Sequence, residues 1–205
     1  MTVGTKHFSA ESRKKQILIA AHMVLQEVGV NHFTIDQIVD YLGIAKGTFY
    51  KYFNSKDDIL AEVSVKALKS LLNYFELSDQ DLEGGLKNTK AIMMSCYKFY
   101  ENEPRFFELI VYMERPDFKS EVVSYKTVSE SLSEFMTNHI ARQQKNGFMK
   151  PDLDAKYVNY IVWGSCMGMM QFIESKRNFI ENIEEIDRKK MIESFVEIMV
   201  AGLAA

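Results

Sequence analysis

The chain has 205 residues, 47% of them hydrophobic and 26% charged, with a net charge of −3. That composition suits one or two domains with a sizeable core and excludes a disordered chain. The bulk charge carries no sign of a polyanionic partner, but its distribution does: residues 1–56 hold seven Lys and Arg against four Asp and Glu, leaving −6 for the remainder, so a basic head sits on an acidic body.

Helical periodicity runs through the chain and strand-like alternation is absent, so the spacing predicts an all-α protein of about nine helices. A first helix over residues 9–28 starts at the cap residue Ser9 and stops at Gly29. Ile17, Ala20, Ala21, Val24 and Val28 form its core face, and Arg13, Lys14 and Lys15 lie near its start. Residues 34–58 read TIDQIVDYLGIAKGTFYKYFNSKDD. Thr34-x-x-Gln37 is a capping box, in which each side chain satisfies an end amide of the second helix. Ile35, Ile38, Val39 and Leu42 give that helix one apolar face, and Gly43 ends it. A third helix begins near Ala45 and carries Lys46, Thr48, Tyr50 and Lys51. A short helix, a Gly turn and a second helix bearing cations and hydroxyls make the helix-turn-helix pattern, whose second helix enters the DNA major groove.

A fourth helix, capped by Ser55 with Asp57 and Asp58 in its first turn, continues to about Phe75 as a rod between head and body. A turn at residues 77–81 and the pair Gly84-Gly85 precede a fifth helix bearing Ile92, Met93, Cys96, Phe99 and Tyr100. Pro104 opens a short sixth helix with Phe106, Phe107, Leu109, Ile110 and Met113. The seventh is expected over residues 119–145. The eighth is expected from the cap Asp154 to about Arg177, after the stop at Asn146-Gly147 and the block at Pro151. The ninth follows over residues 183–203, behind a second capping box, Asn182-x-x-Glu185.

Cys96 and Cys166 are far apart, with no CxxC and no Cys/His cluster, so neither a metal site nor a disulfide scaffold is expected. Buried structural thiols are the simpler reading than a redox switch. His7, His22, His32 and His139 are scattered, with no metal-ligand spacing and no Ser/His/Asp set. No enzyme activity, metal or cofactor is expected. Lys6 and His7 are not followed by a signal-peptide pattern. The longest uncharged run, residues 157–173, contains Asn159, Ser165 and Gln171 and falls short of the ~20 apolar residues of a membrane span. A cytoplasmic protein without a membrane partner is expected.

Residues 43–53, GIAKGTFYKYF, and 55–60, SKDDIL, resemble the DNA-binding signature of the TetR family of bacterial transcriptional regulators. Ile17-Leu18-x-Ala20-Ala21, Gly29 and Phe33-Thr34-Ile35 fall at the same family's spacings. Residues 147–154 resemble, less specifically, its connector before the eighth helix. The chain departs from the pattern at Tyr52, where His is common, at Asp57, where Glu is usual, and at Val39 and Leu42, where small residues are usual. The last two bear on helix packing.

The resemblance implies a helix-turn-helix DNA-binding domain over residues 1–56 and a larger helical ligand-binding and dimerisation domain over residues 57–205. It implies DNA contacts from Thr34, Lys46, Gly47, Thr48, Tyr50, Lys51, Tyr52 and Lys56, with Phe49 and Phe53 holding the helix from the core side. It implies an apolar effector pocket in the body, for which Met93, Cys96, Tyr100, Phe107, Ile110, Met113, Phe135, Trp163, Met167 and Gln171 are candidates. For any one of them taken singly, an ordinary packed core is the favoured reading. It further implies a homodimer through the eighth and ninth helices, aided by the small face of Gly164, Ser165 and Gly168, that reads a near-palindromic operator. The expectation is a repressor released from its operator by a small, largely apolar effector. The alternative is a ligand-independent DNA-binding structural or division-related factor acting through a protein partner.

Overall fold

A computed structural model describes residues 9–80 and 84–205. The fold is all-helical. In chain order it has α1 (Ala10–His32), α2 (Ile35–Leu42), α3 (Lys46–Phe49), α4 (Lys56–Ser78), α5 (Leu86–Asn102), α6 (Pro104–Met113), α7 (Val123–Lys145), α8 (Ala155–Ser175), a π-helical turn (Phe179–Ile183) and α9 (Arg188–Leu203). The only β-type pairing among the described residues is an isolated bridge between Met149 and Ala204.

The chain divides into two compact units. The first is Met1–Ala67 with Arg105–Lys126, and the second is Leu68–Pro104 with Thr127–Ala205. Helices α4 and α7 each contribute residues to both. The first unit is built on Ile17, Leu25, Ile38, Phe49, Ile59 and Leu60, all fully buried, with Leu109 and Met113 of α6 in the same cluster. The second buries Leu71, Phe75, Ile92, Phe99, Met170, Ile173, Ile192 and Val200.

The ends of the elements follow local chemistry. Ser9 caps α1 by accepting from the Ser12 amide at 3.2 Å. Helical pairing in α1 continues to His32, but across a kink at Gly29, whose φ of 71° and ψ of 169° lie outside helical space. Ser55 Oγ accepts from the Asp58 amide at 3.0 Å at the start of α4. That helix then runs through Leu77 and Ser78, beyond its expected end; of the turn placed at residues 77–81, Asp81 lies outside the described residues.

Two expected boundaries move. Helix α7 starts at Val123, because residues 119–122 are tied to the acidic start of α4. Lys119 donates its amide to Asp57 Oδ2 at 3.4 Å, and Ser120 donates its hydroxyl to Asp58 Oδ1 at 3.1 Å. Arg115 joins the same anchor, 2.5 Å from Asp57 Oδ1. The capping box at Asn182 and Glu185 does not form. Asn182 Nδ2 instead donates to Asn178 Oδ1 at 2.8 Å, Glu185 takes a φ of 53°, and α9 begins at Arg188 behind Asp187, which accepts from the Lys190 amide at 3.0 Å. The extra residues go into the π-helical turn, the arrangement that results when a helix absorbs an insertion.

A polar cluster sits inside the second unit. Asp79 Oδ1 lies 3.1 Å from His139 Nδ1 and accepts from Asn88 Nδ2 at 3.1 Å, while Asp79 Oδ2 accepts from Arg142. His139 Nε2 is 2.9 Å from the Thr89 hydroxyl. Burial lowers the pKa of His139; Asp79 pulls it upward and Arg142 adds to the lowering. Thr89, His139 and Asp79 have the hydrogen-bond order of a hydrolytic triad, but Thr89 is only 2% exposed and Asp79 is committed to Arg142 and Asn88. The cluster therefore ties the end of α4 to α5 and α7 and offers no nucleophile to a substrate.

Candidate nucleic-acid interface and effector cavity

The helix-turn-helix is built from the capping box outward. Thr34 Oγ1 accepts from the Gln37 amide at 3.3 Å, and Gln37 Oε1 accepts from the Thr34 amide at 2.8 Å, so both halves of the box are present. Ile38 and Val39 bury the inner face of α2. Gly43 then adopts the left-handed conformation, φ 62° and ψ 39°, which turns the chain sharply into α3 at no Cβ penalty. Phe49 is fully buried and stands 5.5 Å, ring centre to ring centre, from Phe53, which is itself buried. These two rings pin α3 from behind.

The α-helix itself is a single turn, ending at Phe49. Tyr50 caps its C-terminus in the αR conformation, and Lys51 and Tyr52 lie on the following turn, where the Phe49 carbonyl accepts from the Tyr52 and Phe53 amides. The expected longer helix carrying Tyr50 and Lys51 is thus replaced by one turn and a tight continuation. The Phe49 carbonyl is shared by the two amides, and Phe53 is buried at the end of this continuation.

What remains outside is one polar surface. Thr34, Lys46, Gly47, Tyr50 and Lys51 are exposed, and Thr48 and Tyr52 are half-buried. No side chain would meet a Cβ at Gly47, so the backbone there is open to close approach. Lys46 Nζ pairs with Asp36 Oδ1 at 2.7 Å, and hydrogen bonding to that carboxylate raises its pKa. Lys56 is placed differently from the rest. Its ammonium reaches the Val30 carbonyl at 3.4 Å and lies over the rings of Phe33 and Tyr112, 5.8 and 5.2 Å from their centres. Sequence spacing carried no signal for that inward turn.

In the second unit, the candidate effector residues disperse. Met93, Cys96 and Trp163 line one small cavity together with Phe75, Ile92, Met136, Asn159, Val162 and Cys166. Its volume is about 10 Å³, the size of one water-sized particle. Phe135 stacks on Phe75 at 6.2 Å, Met167 is buried, and Gln171 is exposed on α8. Tyr100 donates its hydroxyl to Glu174, which also accepts from Arg177 at 2.6 Å; burial, then the hydrogen bond to Glu174, raises the tyrosine's pKa. Phe107, Ile110 and Met113 are buried in the first unit, with Met113 in its core cluster. Cys166, Met136 and Asn159 were not singled out as lining residues, because nothing in a linear sequence says which turns of α7 and α8 face α5.

One face of α8 is apolar and uncovered: Tyr157 is 72% exposed and Ile161 60%, and Tyr160 and Phe172 continue the stripe. Gly164 and Gly168 leave its middle flat, with nothing within 4 Å of a Cβ at either. Ile198 of α9 is 72% exposed. Among the described residues no helix is long and apolar enough to cross a membrane.

Residues 17–63 match the family model for bacterial regulatory proteins of the tetR family. Over 194 residues the chain is 21% identical to the HTH-type transcriptional regulator SAS2464 of Staphylococcus aureus (strain MSSA476), covering 87% of this chain and 97% of that one. SmeT, the repressor of the Stenotrophomonas maltophilia multidrug efflux pump SmeDEF, is similar in fold with a TM-score of 0.65 at 18% identity, over 94% of this chain and 90% of that one. The fatty acid degradation regulator FadR from Bacillus halodurans superposes with a TM-score of 0.65 at 15% identity, over 95% and 97%. A capped α2, a left-handed glycine and the Lys–Gly–Thr turn fall inside the matched residues, and the described residues are helical beyond them: residues 17–63 carry the helix-turn-helix of the tetR family of bacterial regulatory proteins, and the chain as a whole is similar in fold to such regulators.

Proposed function

We propose that the protein is a cytoplasmic repressor that binds a near-palindromic operator as a homodimer and leaves it when a small apolar effector enters the second unit. The observation that carries the DNA half is the exposed surface of Thr34, Lys46, Gly47, Tyr50 and Lys51 around a helix turn pinned by the buried Phe49. Lys46, Thr48 and Tyr50 reach for base edges, while Thr34, Lys51 and Tyr52 hold phosphates. Lys56 supports this surface from behind, through Val30 and Phe33. Functionally, residues 1–56 read DNA, and residues 57–205 pair the subunits and answer the effector.

The uncovered α8 stripe, with Ile198 of α9, supports a two-fold interface of close-packed helices. Two recognition turns then read two half-sites. An apolar lining without a charged residue supports an apolar effector, seated against Met93, Cys96 and Trp163. Such a ligand must enlarge a water-sized cavity, so it binds an opened form better than the closed one; α4, which belongs to both units, carries that preference to the head. SmeT and FadR, similar in fold, are respectively the repressor of an efflux pump and a fatty acid degradation regulator, which is consistent with a ligand of this character.

The small cavity also favours a second reading, a ligand-independent DNA-binding factor that acts through a protein partner. One experiment separates the two. Operators are selected from random duplexes, and binding is followed by fluorescence anisotropy against salt and against a panel of apolar compounds. A steep fall of affinity with salt supports phosphate contacts, and release by a compound supports the effector. A flat salt response sinks the DNA assignment, and salt-sensitive binding that no compound weakens favours the second reading.

A further inference from the structure

Cys96 on α5 and Cys166 on α8 are far apart in sequence and adjacent in space. Both are free, and they are 4% and 1% exposed. Both line the small cavity beside Phe75, Met93, Met136 and Trp163, and the Cys166 thiol is near enough to raise the pKa of Cys96. No charged residue shares that lining. We propose that Cys96 and Cys166 are a dithiol modification site, closed to an intramolecular disulfide by a small uncharged hydroperoxide and reopened by thiols. The site does not depend on the effector assigned above.

A buried structural cysteine is ordinarily inert. A second thiol in contact changes the outcome of any oxidation. In the first step one sulfur attacks the peroxide: an S–O bond forms, the O–O bond breaks, and the peroxide's other oxygen leaves as water, carrying the thiol proton. In the second step the neighbouring sulfur attacks the sulfenic sulfur: the S–S bond forms, the S–O bond breaks, and water leaves with the second proton. Two thiols lose two electrons, and the peroxide gains them. Because the second thiol is already in place, the sulfenic acid is captured before further oxidation.

The surroundings set the selectivity. Hydrogen bonding to Cys166 and burial raise the Cys96 thiol well above its ordinary value, so the first attack is slow. An apolar cavity of about 10 Å³ admits a particle near the size of water and disfavours a charged oxidant. Closing the bond to about 2.05 Å brings the two sulfurs well inside the separation of unbonded thiols and so moves both side chains. Oxidation therefore reshapes the wall of the cavity.

The test uses the full chain, native by circular dichroism. It is treated with hydrogen peroxide, quenched in acid, unfolded, alkylated and weighed intact, beside Cys96→Ser and Cys166→Ser. The expected product is a monomeric chain lighter by two hydrogens, with neither thiol alkylated, and dithiothreitol restores both. Each single variant shows no such loss and either keeps its thiol or gains oxygen. If the native wild type keeps two alkylatable thiols, or gains oxygen as the single variants do, the proposal is wrong. It is equally wrong if the bond forms only after the chain has been unfolded in urea.

Discussion

Gly29 is the position where a single added methyl group has the most definite consequence. Its φ of 71° and ψ of 169° place it in a region open essentially to glycine alone, and holding a side chain there costs ~1–3 kcal/mol. The methyl also has nowhere to go. A Cβ at Gly29 would stand 2.7 Å from Arg105 Nη1 and 3.1 Å from Glu108 Oε2. Arginine is flexible and can swing away, but its ion pair with Glu108 at 3.0 Å is then disturbed; both partners are more than a third exposed, so that adds only ~0–1 kcal/mol. Gly29→Ala is expected to destabilise the protein by ~2–3 kcal/mol, or ~4–12 °C in Tm at ~2–4 °C per kcal/mol for a chain of this size. Gly43→Ala is the internal control. It also has positive φ, but at the left-handed minimum and with nothing within 4 Å, so it is expected to cost ~1 kcal/mol. Urea titration followed by far-UV circular dichroism measures both. If Gly29→Ala unfolds within ~0.5 kcal/mol of wild type, or no lower than Gly43→Ala, the backbone and packing account of this kink is refuted.

Asp79→Ala removes the acceptor shared by His139, Arg142 and Asn88 inside the second unit and is expected to cost ~3 kcal/mol in the same titration; a loss under ~1 kcal/mol would show that the cluster holds nothing together. His139 has a folded pKa below its ordinary 6.5, so the unfolded chain binds more protons as pH falls through that window. Stability is therefore expected to be full above pH 6.5 and to decline below it, with a shallower decline in His139→Gln; equal slopes in the two proteins would remove His139 from the account. Lys51→Ala should lower the salt slope of operator binding by ~1, and Asp36→Asn should tighten binding to arbitrary duplexes by freeing Lys46; an unchanged slope or weaker binding contradicts the assigned surface. Ile161→Arg places a charge on the bare α8 stripe and should convert the proposed dimer to monomer in sedimentation velocity, with helicity retained.

The helix-turn-helix was legible because each of its signals is local. Thr34 and Gln37 act across one helical turn, and Gly43 ends α2 through its own backbone. The all-helical class and the start of α6 at Pro104 were legible for the same reason. The start of α7 was not, since it depends on Asp57 and Asp58 capturing residues 119 and 120 from a distant part of the chain. The box at Asn182 and Glu185 has the right letters, yet the π-helical turn occupies its place, so a local motif gave way to the path between α8 and α9. Lys56 matches the family signature in letter and turns its charge inward. The thiol pair was the least readable, because facing turns of α5 and α8 leave no mark in a linear spacing.

The ion pair between Asp36 and Lys46 bears on how such a protein would find one site in a genome. A lysine that already holds a carboxylate at 2.7 Å gains little from exchanging it for a phosphate on an arbitrary stretch of duplex. It gains more where neighbouring groups also find their partners and the exchange completes a set. If Lys46 contacts DNA as proposed, the pair would shorten the time lost on wrong sequences more than it would weaken the hold on the right one. On that proposal, search speed and discrimination, not grip, are what Asp36 would set.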